Sequence, residues 1–324
     1  MGFWDGYRAS LKPRDVEEPI DLLVHRPLGY VFARLSLPTR ITPNQLTVLS
    51  ILLALAGGAC LVVPFTQHLV VGAICIVMSA VIDCSDGMLA RMRKSSSALG
   101  RMLDGVADSA SLLGAVAGST WVLWNLYRQP WWLGALVLVG AFVTVYSSQF
   151  HTLTYDHYKN VYCRMTEPDS HEGEDLDKAI VRWEQAQREG VGFVRRVTFY
   201  MYLGYLRGQR DFLARVDPWT PLALDGLPAY DERRAALYRE HALGPMKTLR
   251  NWFGVGSLIF GMASFDAFGR PDIYMALRLV VLNAVFWLWW APRQRRASRE
   301  AFEAMGITPP RAPTEDEMAH STAG

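Results

Sequence analysis

Four aspartates fall in one short stretch, in two pairs. Asp83 and Asp86 are three residues apart, and Asp104 and Asp108 are four apart. On a helix each pair shares one face, with Cβ atoms about 5–6 Å from each other. Two such faces turned toward each other make an all-oxygen cage, the donor set of a hard divalent cation such as Mg2+ or Mn2+. Apolar segments flank the cluster on both sides, and a carboxylate deep in a membrane helix costs roughly 2.5–3.5 kcal/mol on insertion scales. Four together need a compensating partner, and their spacing points to metal. Gly87 and Gly100, between the pairs, leave room for a nucleotide or phosphate to approach backbone. Arg91, one turn past Gly87, adds a permanently charged donor. A pyrophosphate-linked substrate fits this balance, with two cations reconciling it with the carboxylates as in two-metal phosphoryl transfer. The plain alternatives are close helix packing for the glycines and a snorkelling side chain for the arginine.

The elements that must position this cluster are helices. The 324-residue chain is 51% hydrophobic and carries a net charge of +2. Those averages conceal long apolar runs alternating with charged segments, the pattern of a multi-pass membrane protein. We expect an all-α integral membrane bundle of about six transmembrane helices, over residues 45–63, 68–85, 104–126, 131–154, 252–268 and 273–290. Thr42-Pro43-Asn44 opens the first, a hydroxyl N-cap followed by proline at the first helical position. Residues 20–35 alternate apolar and basic positions and read as an interfacial helix bent at Pro27. Residues 155–250 form a hydrophilic, cytoplasmic helical insertion, with a charged helix over 172–189 and a more apolar one over 193–213. The chain therefore divides into an N-terminal segment (1–40), spans one to four (41–154), the insertion (155–250), spans five and six (251–292) and a tail (293–324). That tail ends in a short helix and a Pro-, Thr- and Glu-rich stretch with the composition of disorder.

Lys and Arg set the orientation. Arg26, Arg34 and Arg40 precede the first span, Arg91, Arg93, Lys94 and Arg101 join the second to the third, and Arg293, Arg295, Arg296 and Arg299 follow the sixth. The opposite loops hold only Arg128 and Arg270. Both termini and the aspartates are expected on the cytoplasmic side of the inner membrane. Trp131, Trp132, Trp287, Trp289 and Trp290 are expected as interfacial anchors; Arg278, inside the sixth span, could pair within the bundle, but snorkelling to the outer interface is the expectation. Residues 1–18 are polar, without a signal-peptide core. The four scattered cysteines indicate neither a disulfide framework nor a zinc site, and the near-neutral charge gives no support for nucleic-acid binding.

The run Asp83-x-x-Asp86-Gly87-x-x-Ala90-Arg91, eight residues, then Gly100-x-x-x-Asp104-x-x-x-Asp108 resembles the signature of the class-I CDP-alcohol phosphatidyltransferase family, with every fixed residue in place. The resemblance covers residues 40–154. It implies that Asp83, Asp86 and Asp104 hold the metals, and that Asp108 is the base taking a proton from the incoming hydroxyl and also reaches a metal. It also implies that Gly87, Ala90, Arg91 and Gly100 meet the CDP moiety. The implied reaction moves a phosphatidyl group from CDP-diacylglycerol to a small polar alcohol, with release of CMP, in an enzyme that pairs as a homodimer among membrane lipids. The same family also contains the reverse division, a CDP-linked amino alcohol attacked by diacylglycerol. A polyprenyl transferase shares aspartate-rich helices but gives the Gly-x-x-Ala-Arg element no role. A membrane cation transporter would instead need acidic residues near mid-bilayer on several spans. For the acceptor alcohol, Ser148, His151, Tyr155 and Lys159 fall near one face of the fourth span's inner end, with Arg101 a further candidate. An ordinary helix emerging into water gives the same pattern.

Overall fold

In the computed structural model the described residues are 7, 13–93, 95, 98–168, 192–220 and 227–307, with backbone alone at 98–109 and at 193–195, 197–199, 201–203, 205 and 206. They are helical, with no strand among them. The helices are α1 (Arg26–Ser36, entered through a π-turn at Asp21–His25), α2 (Pro43–Val62), α3 (His68–Arg93), α4 (Ala98–Tyr127) and α5 (Trp131–Thr166). There follow α6 (Phe193–Val216), α7 (Glu232–Trp252), α8 (Val255–Ala267) and α9 (Pro271–Ala276). The helix begun by α9 continues through wider turns at Leu277–Leu282 and Val285–Trp290 into α10 (Ala291–Ala304). The expected helix at 172–189 and the tail beyond 307 lie outside the described residues. The chain divides into two compact units, residues 1–152 with 250–284, and residues 153–249 with 285–324.

In the first unit, α2 begins at the expected cap. Thr42 Oγ1 accepts the Gln45 N–H at 3.3 Å and Gln45 Oε1 accepts the Thr42 N–H at 2.9 Å, a reciprocal capping box with Pro43 at the first helical position. Helix α2 then lies between α3 and α4. Thr47 meets Asp86, Ser50 meets Ser79 and Gly57 meets Gly72, so α2 and α3 run antiparallel. Gly58 meets Gly114 and Leu61 meets Gly118, so α2 and α4 run parallel. A Cβ on Gly57 would stand 2.9 Å from the Gly72 carbonyl oxygen, and one on Gly114 would stand 2.5 Å from that of Ala54. Glycine is required at these crossings because backbone meets backbone.

Helix α1 lies on α3 through Tyr30 and Ala33, which share a buried cluster with Leu46, Ile82, Met88 and Leu89. Its other side exposes Leu28, Val31 and Leu35, the apolar stripe expected of an interfacial helix. Arg93, at the end of α3, locks the α1–α2 linker by donating to the carbonyls of Ser36, Leu37, Thr39 and Ile41 at 2.5–3.1 Å. Glu18, only 3% exposed, secures the segment before α1. Its carboxylate accepts the N–H groups of Gly256 and Ser257 at 3.2 and 2.8 Å and the Ser257 hydroxyl at 2.7 Å. A side chain at Gly254 would collide with it. Burial, reinforced by Asp21, pushes the Glu18 carboxyl up to about 7 despite those three donors.

In the second unit the polar centre is Asp217, which is 1% exposed. Its Oδ2 accepts the hydroxyls of Tyr158 (2.9 Å), Thr220 (2.8 Å) and Ser298, and Oδ1 accepts the Trp219 N–H at 3.0 Å. Tyr158, which donates to Asp217, meets the Trp290 ring edge-on, and Phe286 packs against the same ring at a tilt. Trp290 is thus fully buried and not an interfacial anchor, because Tyr158 and Phe286 cover its ring. Trp131, Trp132, Trp287 and Trp289 are 47–74% exposed, as anchors would be.

Among the described residues, four helices are long and apolar enough to cross a membrane: Pro43–Val62, His68–Arg93, Trp131–Thr166 and Pro271–Ala304. Helix α4 starts at Ala98, one to two turns before the expected 104, and its 30 residues have a span's length. Helix α8 has 13 residues. At 1.5 Å per residue it extends about 20 Å, short of the ~30 Å hydrocarbon core.

Candidate functional site

The site is built by the antiparallel pair α3 and α4, held in register by hydroxyls. Ser79 Oγ donates to the Ser50 carbonyl at 2.9 Å and lies 2.9 Å from Ser111 Oγ, so one buried cluster pins α2, α3 and α4 together. From that point Asp83 lies four residues forward on α3, and Asp108 lies three residues back on α4. Both positions therefore stand about 4.5–6 Å beyond the serine pair, toward the same end of the helices. Asp86 and Asp104 each lie seven residues from their serine, about 10.5 Å beyond it. The register brings all four positions to one end of the α3–α4 pair, at two matched levels. The side chains of Gly100, Arg101, Asp104 and Asp108 lie outside the described residues, and only their helical backbone positions are given.

On α3 the details are sharper. Asp86 is 6% exposed, and its Oδ2 accepts the hydroxyl of Thr47, which is 3% exposed. Thr47 stands one turn inside the α2 cap, so the Thr42-Pro43-Asn44 start sets the turn that delivers this donor. A hydroxyl held against a carboxylate fixes its orientation without removing its charge, an outer contact of the kind that supports metal ligands. With oxygen donors on both helices and no thiol or imidazole among the four positions, the donor set suits a hard divalent cation. Among the described residues, a Cβ at Gly87 would find only Arg91 Nη1, at 3.6 Å. No described neighbour packs closely enough to require this glycine, and the Arg91 guanidinium folds back beside it. Ala90 is half-buried one turn on.

The acceptor candidates separate. Ser148 and His151, each 2% exposed, belong to the first unit. Ser148 Oγ accepts Arg278 Nε at 3.2 Å, and the His151 ring meets that of Phe253 at 4.8 Å. Tyr155 and Lys159 belong to the second unit, where the ammonium lies 5.0 Å from the Tyr155 ring centroid and bonds Asp156 at 3.1 Å. Arg278 does not snorkel outward as expected. It is 1% exposed and turned into the first unit, where Nη1 also donates to the Trp252 carbonyl at 3.4 Å.

Sequence reasoning missed Thr47, and it placed pairing of Arg278 within the bundle second to snorkelling. A threonine inside an apolar helix, one turn from a capping box, was the available signal for Thr47. For Arg278 the signal favouring the bundle was its place eight residues into the helix that starts at Pro271, too deep for ordinary anchoring.

A family model described as CDP-alcohol phosphatidyltransferase matches residues 40–164, the segment that contains α2 to α4 and nearly all of α5. These residues form a CDP-alcohol phosphatidyltransferase domain. The family is one of phospholipid-synthesising transferases. The chain is 37% identical over 110 residues to the phosphatidylinositol phosphate synthase of Corynebacterium glutamicum, covering 33% of this chain and 48% of that protein. It is 31% identical over 142 residues to the archaetidylinositol phosphate synthase of Pyrococcus horikoshii, covering 43% and 65%. It is also 31% identical over 169 residues to the bifunctional IPC transferase and DIPP synthase of Aquifex aeolicus, covering 47% and 36%. The chain thus spans less than two thirds of each of these relatives. The CDP-alcohol phosphatidyltransferase domain holds every aspartate of the candidate site.

Proposed function

We propose that the chain is a divalent-metal-dependent CDP-alcohol phosphatidyltransferase that moves a phosphatidyl group from CDP-diacylglycerol to a small polar alcohol. The observation that carries this is the Ser79–Ser111 register, which sets the two aspartate pairs of the family signature at one end of one helix pair. Asp83, Asp86, Asp104 and Asp108 would hold one or two Mg2+ or Mn2+ ions there. Such ions supply positive charge against the diphosphate and the departing nucleoside monophosphate. Thr47 fixes the Asp86 carboxylate before substrate arrives. The lack of a side chain at Gly87 lets the nucleotide approach the backbone, and Arg91 lies beside it as a charge-assisted donor to phosphate.

The acceptor hydroxyl oxygen attacks the phosphorus that bears the lipid. The bond from that phosphorus to the bridging oxygen breaks, CMP leaves with the electron pair, and the hydroxyl proton passes to an Asp108 carboxylate oxygen. Asp108, one turn from Asp104, is the position nearer the serine pair, and proton transfer accompanying attack suits so weak a base. We assign a phosphorylated polyol, with inositol phosphate first, as the acceptor, on the names of the relatives in Corynebacterium and Pyrococcus. We also assign the site and both termini to the cytoplasmic side, on the Lys and Arg distribution, and a homodimer as the working assembly, on the family resemblance.

The test is a panel. Purified protein, CDP-diacylglycerol and Mg2+ are incubated with inositol phosphate, inositol, glycerol 3-phosphate, serine or choline, and lipid products are read by mass. Formation of phosphatidylinositol phosphate with stoichiometric CMP is expected. Turnover of CDP-choline or CDP-ethanolamine with diacylglycerol instead would reverse the assignment of donor and acceptor.

A further inference from the structure

The second unit holds the end of the helix that begins at Pro271, and that helix is long and apolar enough to cross a membrane. Near its end Leu288 is 79% exposed, between the exposed Trp287 and Trp289. Tryptophans exposed beside such a leucine mark the depth at which a span leaves hydrocarbon for headgroups. Arg293 lies five residues past Leu288 and Arg296 eight, about 7.5 and 12 Å further along the axis. The headgroup layer is about 5–8 Å deep on each side of a bilayer. Arg293 therefore falls within it and Arg296 at its outer edge.

Helix α6 is fastened to the same place. Phe212 stacks on Phe286 at 6.3 Å and meets Trp287 edge-on at 5.9 Å. Arg295 donates to the carbonyls of Arg215 and Val216, which satisfies the last turn of α6. Arg207 and Arg215 on α6 are exposed, as are Arg293 and Arg296 on α10. Among the described residues no carboxylate pairs with any of these four. Arg293 instead lies over the Trp289 ring, its guanidinium carbon 3.3 Å from the centroid. That contact holds the charge at the hydrocarbon edge.

A basic face that is merely solvated needs no apolar neighbours, whereas these guanidiniums share their surface with Trp287, Leu288 and Trp289. An acidic protein or a nucleic acid would answer the charge alone. An anionic phospholipid answers both, with phosphate oxygens for the arginines and methylenes for the exposed rings.

We propose that the last turns of α6 and the stretch from Trp287 to Arg296 form a docking surface for anionic phospholipid headgroups, which seats the second unit on that leaflet. The proposal needs the membrane span but not the transferase reading, so each stands if the other fails. A basic side chain close to an anionic bilayer is worth about fivefold in binding.

The test is amide hydrogen exchange of the full-length protein in nanodiscs of phosphatidylcholine carrying increasing phosphatidylglycerol. Exchange over residues 207–216 is expected to slow as phosphatidylglycerol rises. Arg293→Gln should require about fivefold more of it for the same slowing. Combining Arg207→Gln, Arg215→Gln, Arg293→Gln and Arg296→Gln should abolish the slowing, with native exchange over α2 and α3 as the control for folding. The same four positions changed to Lys, which keeps the charge, should retain it. Equal exchange in phosphatidylcholine and phosphatidylglycerol discs, or slowing that survives the four Gln changes, would overturn the proposal. So would equal slowing by inorganic phosphate or an oligonucleotide in discs of phosphatidylcholine alone, which would assign the surface to a dissolved anion or to nucleic acid.

Discussion

Replacing Thr47 by valine removes one hydroxyl and little volume. In the native protein that hydroxyl donates to Asp86 Oδ2 between two side chains that are 3% and 6% exposed. A hydrogen bond to a charged group contributes about 1.5–3 kcal/mol, and more of that is felt when the acceptor stays buried without it. If Asp86 is a metal ligand, the loss appears as weaker metal affinity, because the carboxylate then lacks the buried hydroxyl donor that holds its Oδ2. An outer contact of this kind is worth about 10–100-fold in affinity, in line with that energy. The assay is Mn2+ binding to metal-free protein in detergent, followed by electron paramagnetic resonance, with thermal unfolding as the control for folding. Thr47→Val should bind Mn2+ about 10–100-fold more weakly, and its turnover should recover at saturating metal. Thr47→Ser, which keeps the donor, should restore most of the affinity. If Thr47→Val binds Mn2+ like the native protein while Asp86→Asn does not, the hydroxyl does not orient the ligand and the reasoning fails.

Asp83→Asn and Asp104→Asn should each abolish CMP release together with Mn2+ binding. Asp108→Asn should lose rate while keeping more of the affinity, and equal loss of metal in all three would refute the division between ligands and base. Glu18 supplies a pH dependence. Its folded pKa of about 7 lies above the ordinary 4.5, so the folded state holds a proton that the unfolded chain has released between those values, and stability must fall as pH rises across that window. Glu18→Gln should remove that slope, of order 3 kcal/mol at full size; a native-like slope in the variant, by thermal unfolding from pH 4.5 to 7.5, would exclude Glu18 as its source. Arg93→Ala should cost about 1–3 kcal/mol through four abandoned carbonyls and expose the α1–α2 linker to protease, whereas unchanged proteolysis would show that the linker holds itself.

Several parts of this arrangement were legible in the chain alone because they obey local rules. The aspartate spacings follow the helical period, and Thr42, Pro43 and Gln45 satisfy the start of α2 by themselves. Helix ends were less legible. Apolar composition marks where lipid begins, not where backbone hydrogen bonding begins, so α4 starts at Ala98, ahead of its apolar stretch. Side-chain destinations set by remote partners were not legible at all. Trp290 reads as an anchor until Tyr158 and Phe286 are brought against it, and Arg278 reads as a snorkelling residue until Ser148 arrives from a helix 130 positions earlier. Glu18 shows the same limit, since its donors come from the start of α8.

Diffraction from crystals soaked in Mn2+, with anomalous differences collected at the manganese edge, tests the central claim most directly. The account predicts one or two peaks about 2.1–2.3 Å from carboxylate oxygens, with ligands drawn from Asp83, Asp86, Asp104 and Asp108, and with Thr47 Oγ1 still on Asp86 Oδ2. Manganese bound elsewhere, or α3 and α4 carboxylates turned away from each other with no ion between them, would contradict it.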